Sequence, residues 1–181
     1  MQLVVLLAVG AVVAGLLRGG SLERLANTKF RASPLLIAGL GLQIVFSLWS
    51  PEWMAGGLGL GVLIGSNILV LSWLVVNRSL PGIVIAALGL VLNLAVISAN
   101  GAMPVSPEAA RDLGVENLEI SGALKHEVAD DGTRLVFLGD VIPLPGVGIL
   151  SLGDLVLAAG IAVLAYAQTR RGPESEGEAS G

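Results

Sequence analysis

Two aspartates in Gly-Asp pairs, Asp140 and Asp154, flank an apolar stretch of the chain that holds Pro143, Pro145, Gly146, Gly148 and Gly153. Prolines and glycines at that density prevent a continuous helix, so the chain can fold back and bring the two carboxylates together. Two close carboxylates in a low-dielectric setting share a proton. One then acts as base on a water and the other as acid, which is aspartyl hydrolase chemistry. Asn100 and His126, also in the polar part of the chain, are the residues expected to line such a pocket or hold a scissile carbonyl. Each aspartate also has a simpler reading. Ser151-Leu-Gly-Asp154 has capping-box spacing, and Asp140 can close a turn.

The elements that must position these residues are membrane helices. Mean hydropathy is +0.85, and charged residues make up 13% of the chain, about half of what a soluble domain carries. Five apolar stretches approach the length of about 20 residues that a bilayer demands: 2–17, 34–50, 56–76, 81–99 and 152–168. The expected fold is all-α, a bundle of five transmembrane helices in one membrane domain, residues 1–171. A small β-rich cap outside the membrane is built from segment 100–150. Residues 172–181 contain Gly, Pro, Ser and Glu with only Ala179 apolar, and read as a disordered cytoplasmic tail.

Basic residues set the orientation. Arg18, Arg24, Lys29, Arg31, Arg78, Arg170 and Arg171 fall on one side if five spans alternate, leaving Arg111, Lys125 and Arg134 on the other. The positive-inside rule puts the larger group in the cytoplasm of a plasma-membrane protein. The N-terminus and segment 100–150 then lie outside. The first span lacks a basic region before it, so it reads as a retained span and not a signal peptide. Trp49 and Trp53 read as interfacial anchors.

Other chemistries are narrowed by composition. There is no cysteine and only one histidine, so thiolate and multi-histidine metal sites are excluded, and no cofactor or metal is expected. The net charge of −4 argues against nucleic acid as a partner. The expected partners are the lipid bilayer and either a lipid-linked substrate or another membrane protein, with oligomeric state left open. Gly57, Gly61 and Gly65 sit four apart, with Gly39 in the second stretch and Ala158 and Ala162 in the fifth, a small-residue spacing that lets helices approach closely. A homodimer face is one use of it; contact among the helices of this one chain is the expected one. Gln43, Asn67 and Asn93 read as interhelical hydrogen-bond partners.

Within the outer segment, Ser106 and Pro107 predict a short capped helix to Leu113. Leu124 to Phe137 predicts a hairpin turning at Asp130-Asp131-Gly132, with its second strand from Arg134.

Two resemblances follow from these motifs. Asn100-Gly-Ala-Met-Pro-Val-Ser, His126, Phe-Leu-Gly-Asp140-Val-Ile-Pro and Leu-Ser-Leu-Gly-Asp154 resemble a family of small uncharacterised bacterial membrane proteins, classed as a domain of unknown function. No activity comes with that likeness. The last third of the chain also resembles signal peptidase II, the lipoprotein signal peptidase. Gly-Asp140-Val-Ile-Pro and Leu-Gly-Asp154-Leu-Val-Leu-Ala-Ala-Gly match that family's two aspartates in order and side. The likeness implies a catalytic pair, Asp140 and Asp154, beneath an extracytoplasmic β-cradle. That family's Gly-Asn-x-x-Asp-Arg motif is missing here, Ser151-Leu-Gly replaces Asn-x-Ala, and the N-terminal span is extra. The alternative is a non-catalytic accessory, assembly or lipid-binding protein whose aspartates are structural.

Overall fold

A computed structural model describes residues 2–49, 57–115 and 126–170. Trp53, Lys125, Arg171, the start of the expected hairpin at Leu124 and the tail 172–181 lie outside the described residues.

Each of the five apolar stretches forms one long helix: α1 Gln2–Leu17, α3 Ser33–Leu48, α4 Gly57–Val76, α5 Ile83–Asn100 and α7 Leu152–Arg170. Two short helices, α2 Leu22–Ala26 and α6 Pro107–Asp112, sit in the connections. Three of the long helices, α4, α5 and α7, are long and apolar enough to cross a membrane. The other two, α1 and α3, have 16 residues each. At 1.5 Å per residue that is about 24 Å, short of the roughly 30 Å hydrocarbon core.

The long helices lie side by side in the order α1–α7–α5–α4–α3, each packing mainly on its neighbours in that row. The five helices expected to form a bundle are therefore a layer with α1 and α3 at its ends. Both end helices expose large apolar side chains, among them Val5, Leu6 and Val9 on α1 and Ile37, Ile44 and Val45 on α3.

The tightest contact is between α5 and α7. A Cβ placed on Gly160 would meet the Ala86 backbone, one on Gly89 would meet the Gly153 carbonyl and Leu157 backbone, and one on Gly82 would meet the Gly160 carbonyl. On α3, Gly39 makes a similar approach to Ser66 and Val70 of α4. Gly57, Gly61 and Gly65 do not pack this way. A Cβ on any of the three would meet nothing within 4 Å. The expectation of contacts within the chain holds for Gly39 and is corrected for the stripe at 57, 61 and 65. Close approach on α5 and α7 is made by other glycines, because the row turns the stripe's face of α4 outward.

Segment 101–151 joins the top of α5 to the start of α7. Gly101 leaves α5 at φ +92°, a conformation open to glycine, and leads directly into β1, Met103–Val105. The α6 helix then starts as expected, with the Ser106 hydroxyl accepting from the Ala109 amide and Pro107 in the first turn. The next strand, β2 His126–Val128, pairs with β1 in parallel, Met103 opposite His126. Then β3 Ile142–Leu144 and β4 Gly148–Leu150 form an antiparallel hairpin that delivers the chain to α7. All four strands have three residues, so the β-rich cap is reduced to short pairings within a loop layer.

The turn at Asp130 forms, with the Gly132 amide donating to the Asp130 carboxylate at 2.9 Å. The strand expected after it does not. The Asn100 side chain takes the Arg134 backbone from both sides: the Arg134 amide donates to Asn100 Oδ1, and Asn100 Nδ2 donates to the Arg134 carbonyl, both at 2.8 Å. Those are the groups a second strand would have used. The chain runs instead into a 3₁₀ turn at Val136–Leu138.

Gly160→Ala is expected to lower thermal stability in detergent by about 1–3 kcal/mol through overpacking, with backbone and not a movable side chain in the way. Gly61→Ala is expected to leave the melting temperature unchanged or slightly raised, since its Cβ enters open space and alanine favours helix.

Candidate functional site

Asp140 lies in the middle of the loop layer, held by backbone. Its amide donates to the Pro104 carbonyl at 2.8 Å, and its carbonyl accepts from the Ser106 amide at 2.9 Å. It forms a parallel bridge to Val105, so β1 runs between His126 on one side and Asp140 on the other. Gly139 makes this possible, because a Cβ there would press on the Pro104 carbonyl and ring. The sequence places His126 and Asp140 14 residues apart; their shared neighbour β1 brings them together. His126 Nε2 is 3.5 Å from Asp140 Oδ2. The histidine side chain is 46% exposed and the aspartate 9%, so His126 stands between Asp140 and solvent.

The other carboxylate oxygen, Asp140 Oδ1, is buried and has no hydrogen-bond partner among the described residues. Burial raises the Asp140 carboxyl from its usual range to about 7, and the charge on Asp154 adds to the rise. The β3–β4 hairpin is what returns the chain far enough for Asp154 to act on Asp140. The Val141 amide donates to the Leu150 carbonyl, closing the base of that hairpin at 3.2 Å.

Asp154 has different surroundings. Ser151 caps α7: its hydroxyl accepts from the Asp154 amide at 2.9 Å, and the Ser151 amide donates back to Asp154 Oδ2 at 3.4 Å. Asp154 Oδ1 accepts from Asn93 Nδ2 at 2.8 Å, and the Ser151 hydroxyl donates to Asn93 Oδ1 at 2.9 Å. Three side chains thus close a polar knot between α5 and the start of α7. Asn93 fits there because Gly153 has no side chain; a Cβ on Gly153 would overlap the Asn93 amide. Asn93 is the interhelical partner that its place in an apolar span suggested, and its role in orienting Asp154 became visible only with the α5–α7 pairing.

Asn100 and His126 were expected to line one pocket with the aspartates. His126 touches Asp140. The Asn100 amide clamps Arg134 and also donates to the Val96 carbonyl at 2.9 Å. It borders a polar surface depression of about 440 Å³, shared with Glu127, Asp130, Thr133 and Arg134. A second depression of similar volume is lined by Asp112, Leu113 and Pro145–Gly148. Neither is lined by Asp140 or Asp154. Among the described residues no group of three or more His, Asp or Glu side chains is placed to hold a metal ion.

Residues 27–166 match the pattern of DUF5317, a family of unknown function. The chain belongs to this family. No curated protein and no solved structure matches it, so the likeness of its last third to signal peptidase II gains no support. Membership in DUF5317 assigns no chemistry to Asp140 or Asp154.

The raised Asp140 carboxyl gives a signed prediction. The folded state holds this proton more tightly than the unfolded chain, so Asp140 costs stability as pH rises from the unfolded carboxylate value towards 7, and the full cost is present above that. Asp140→Asn removes the term. The variant should gain on the wild type as pH is raised through 7, measured as the difference in melting temperature between the two proteins at each pH. A constant difference across that range would contradict the buried, proton-holding state of Asp140.

Proposed function

We propose that this protein is a non-catalytic integral membrane protein of the accessory, assembly or lipid-binding type. Five spans cross the membrane, with the N-terminus and loop layer outside and the C-terminus in the cytoplasm. The observation that carries the non-catalytic reading is the state of Asp154. Both of its oxygens already accept hydrogen bonds, from Asn93 and from the Ser151 amide. A carboxylate used as helix cap and interhelix fastener is poorly placed to activate a water as well.

The orientation rests on the charge pattern. Arg18, Arg24, Lys29, Arg31, Arg78 and Arg170 gather in the connections and helix end opposite segment 101–151. Spanning by α1 and α3 rests on their apolar exposure and on their place beside the three longer helices. Local thinning of the bilayer, or residues flanking each helix, would make up the missing length.

A second reading, an aspartyl hydrolase acting on a lipid-linked or membrane-embedded substrate, is favoured by one observation. Among the described residues Asp140 keeps an oxygen without a partner, and its carboxyl is raised to about 7, which suits a general acid or base at neutral pH. In that reaction Asp154 would take a proton from the attacking water, and Asp140 would give its own to the leaving group.

The two readings separate in a strain lacking the gene. On the proposed reading, Asp154→Asn loses about 1 kcal/mol of capping stability, yet complements the deletion wherever the protein accumulates. On the hydrolase reading, Asp140→Asn and Asp154→Asn each accumulate at the wild-type level and neither complements. Cysteines placed singly in the 130–134 turn and at Arg78 should react with an impermeant thiol reagent from opposite sides of the membrane. Labelling of both from the same side would overturn the five-span topology.

A further inference from the structure

At the ends of α1 and α7 away from the loop layer, two guanidiniums converge on one phenol. Arg18, just after α1, donates from Nη1 to the Tyr166 hydroxyl at 3.2 Å, and Arg170, one turn further along α7, donates to the same oxygen at 3.1 Å. The Arg170 guanidinium also stands 5.9 Å from the centre of the Tyr166 ring. This arrangement is held by backbone. The Ser21 amide donates to the Thr169 carbonyl at 3.0 Å, and Gly20 fits against Thr169 so closely that a Cβ would overlap it. The turn carrying Arg18 is therefore fastened to the end of α7. A third guanidinium, Arg24, reaches the same turn and donates to the Gly19 carbonyl at 3.4 Å.

Two like charges drawn to one neutral oxygen repel each other. Among the described residues neither Arg18 nor Arg170 forms an ion pair with a carboxylate. Arg18 and Arg170 are exposed, and each keeps guanidinium N–H groups beyond the one given to Tyr166. With the phenol's two lone pairs both taken, its O–H is left to donate outward. The result is a positive cluster made of donors, which matches the needs of a phosphate oxyanion. Its setting selects the source. Tyrosine at the end of an apolar helix sits at headgroup depth, and the neighbouring Leu17 side chain is 83% exposed, as an acyl chain requires.

We propose that Arg18, Tyr166 and Arg170 bind the phosphate of an anionic phospholipid headgroup. The site is independent of Asp140 and Asp154 and rests on the reading of this chain as membrane-embedded.

The test uses the full chain purified in detergent and native mass spectrometry with added phosphatidylglycerol or phosphatidylcholine. Arg18→Gln and Arg170→Gln should each lower phosphatidylglycerol retention about fivefold, and the pair more than tenfold. Phosphatidylcholine retention should be weak throughout. Arg78→Gln, on the same side of the helix row, should change nothing, which separates a built site from general attraction to positive charge. Equal loss in Arg78→Gln, or equal retention of the two lipids by the wild type, would overturn the proposal. Inorganic phosphate is the second arm. If it raises the melting temperature through the same two arginines while phosphatidylglycerol is not retained, the oxyanion site stands and the lipid source is overturned. Flotation of the double variant with vesicles keeps the membrane reading separate: a protein that floats but binds lipid as the wild type does defeats only this site.

Discussion

Everything in the loop layer hangs from the contact between α5 and α7. Glycines at 82, 89, 153 and 160 let the two backbones approach to a distance that any side chain would prevent. At the loop-layer end of that seam the gap left by Gly153 is filled by the Asn93 amide, which ties itself to Ser151 and Asp154. In an apolar surrounding an unpaired amide or carboxylate is costly, so a closed set of partners fixes the helices in rotation as well as distance. The C-terminus of α5 and the N-terminus of α7 become two fixed posts, and segment 101–151 is strung between them.

From these posts the electrostatics of the loop layer follow. The β1 strand leaves one post and β4 arrives at the other, and Asp140 is bonded through its own backbone into the space between. Asp154, in the first turn of α7, is bonded to Asn93 and to the Ser151 amide. Asp140 Oδ1 has no such partner among the described residues, and burial together with its neighbour's charge favours the protonated form of Asp140 near neutral pH. Two aspartates in similar Gly-Asp contexts thus come to differ because one caps a helix and the other is enclosed among strands. His126 gives the enclosed one its contact with solvent.

Charge also gathers at the helix ends away from the loop layer. The turn after α1 is bound to the last carbonyls of α7, so basic residues distant in sequence gather around Tyr166. Between the two ends the helices carry little but apolar surface. Because they form a row and not a closed bundle, much of that surface, including the glycine stripe of α4, faces outward. A lipid environment tolerates this, since close packing and not apolar burial is what holds membrane helices together.

Local sequence was enough to place the long helices, the capped start of α6 and the capping box at Ser151–Asp154. Each depends on residues within a few positions of one another: an apolar run, a proline in a first turn, a hydroxyl three residues before an amide. It also made Asn93 an interhelical partner, since an amide in an apolar span needs one. Which helices are neighbours, and with that which glycines are used, depends on the packing of distant segments. The stripe at 57, 61 and 65 has the better spacing, yet the contact falls to 82, 89, 153 and 160. The expected hairpin failed for the same kind of reason. Local propensity favoured a strand from Arg134, but Asn100, 34 residues away, takes that backbone first. The meeting of His126 with Asp140, and the difference between the two aspartates, depend on strand pairings and burial that no local pattern encodes.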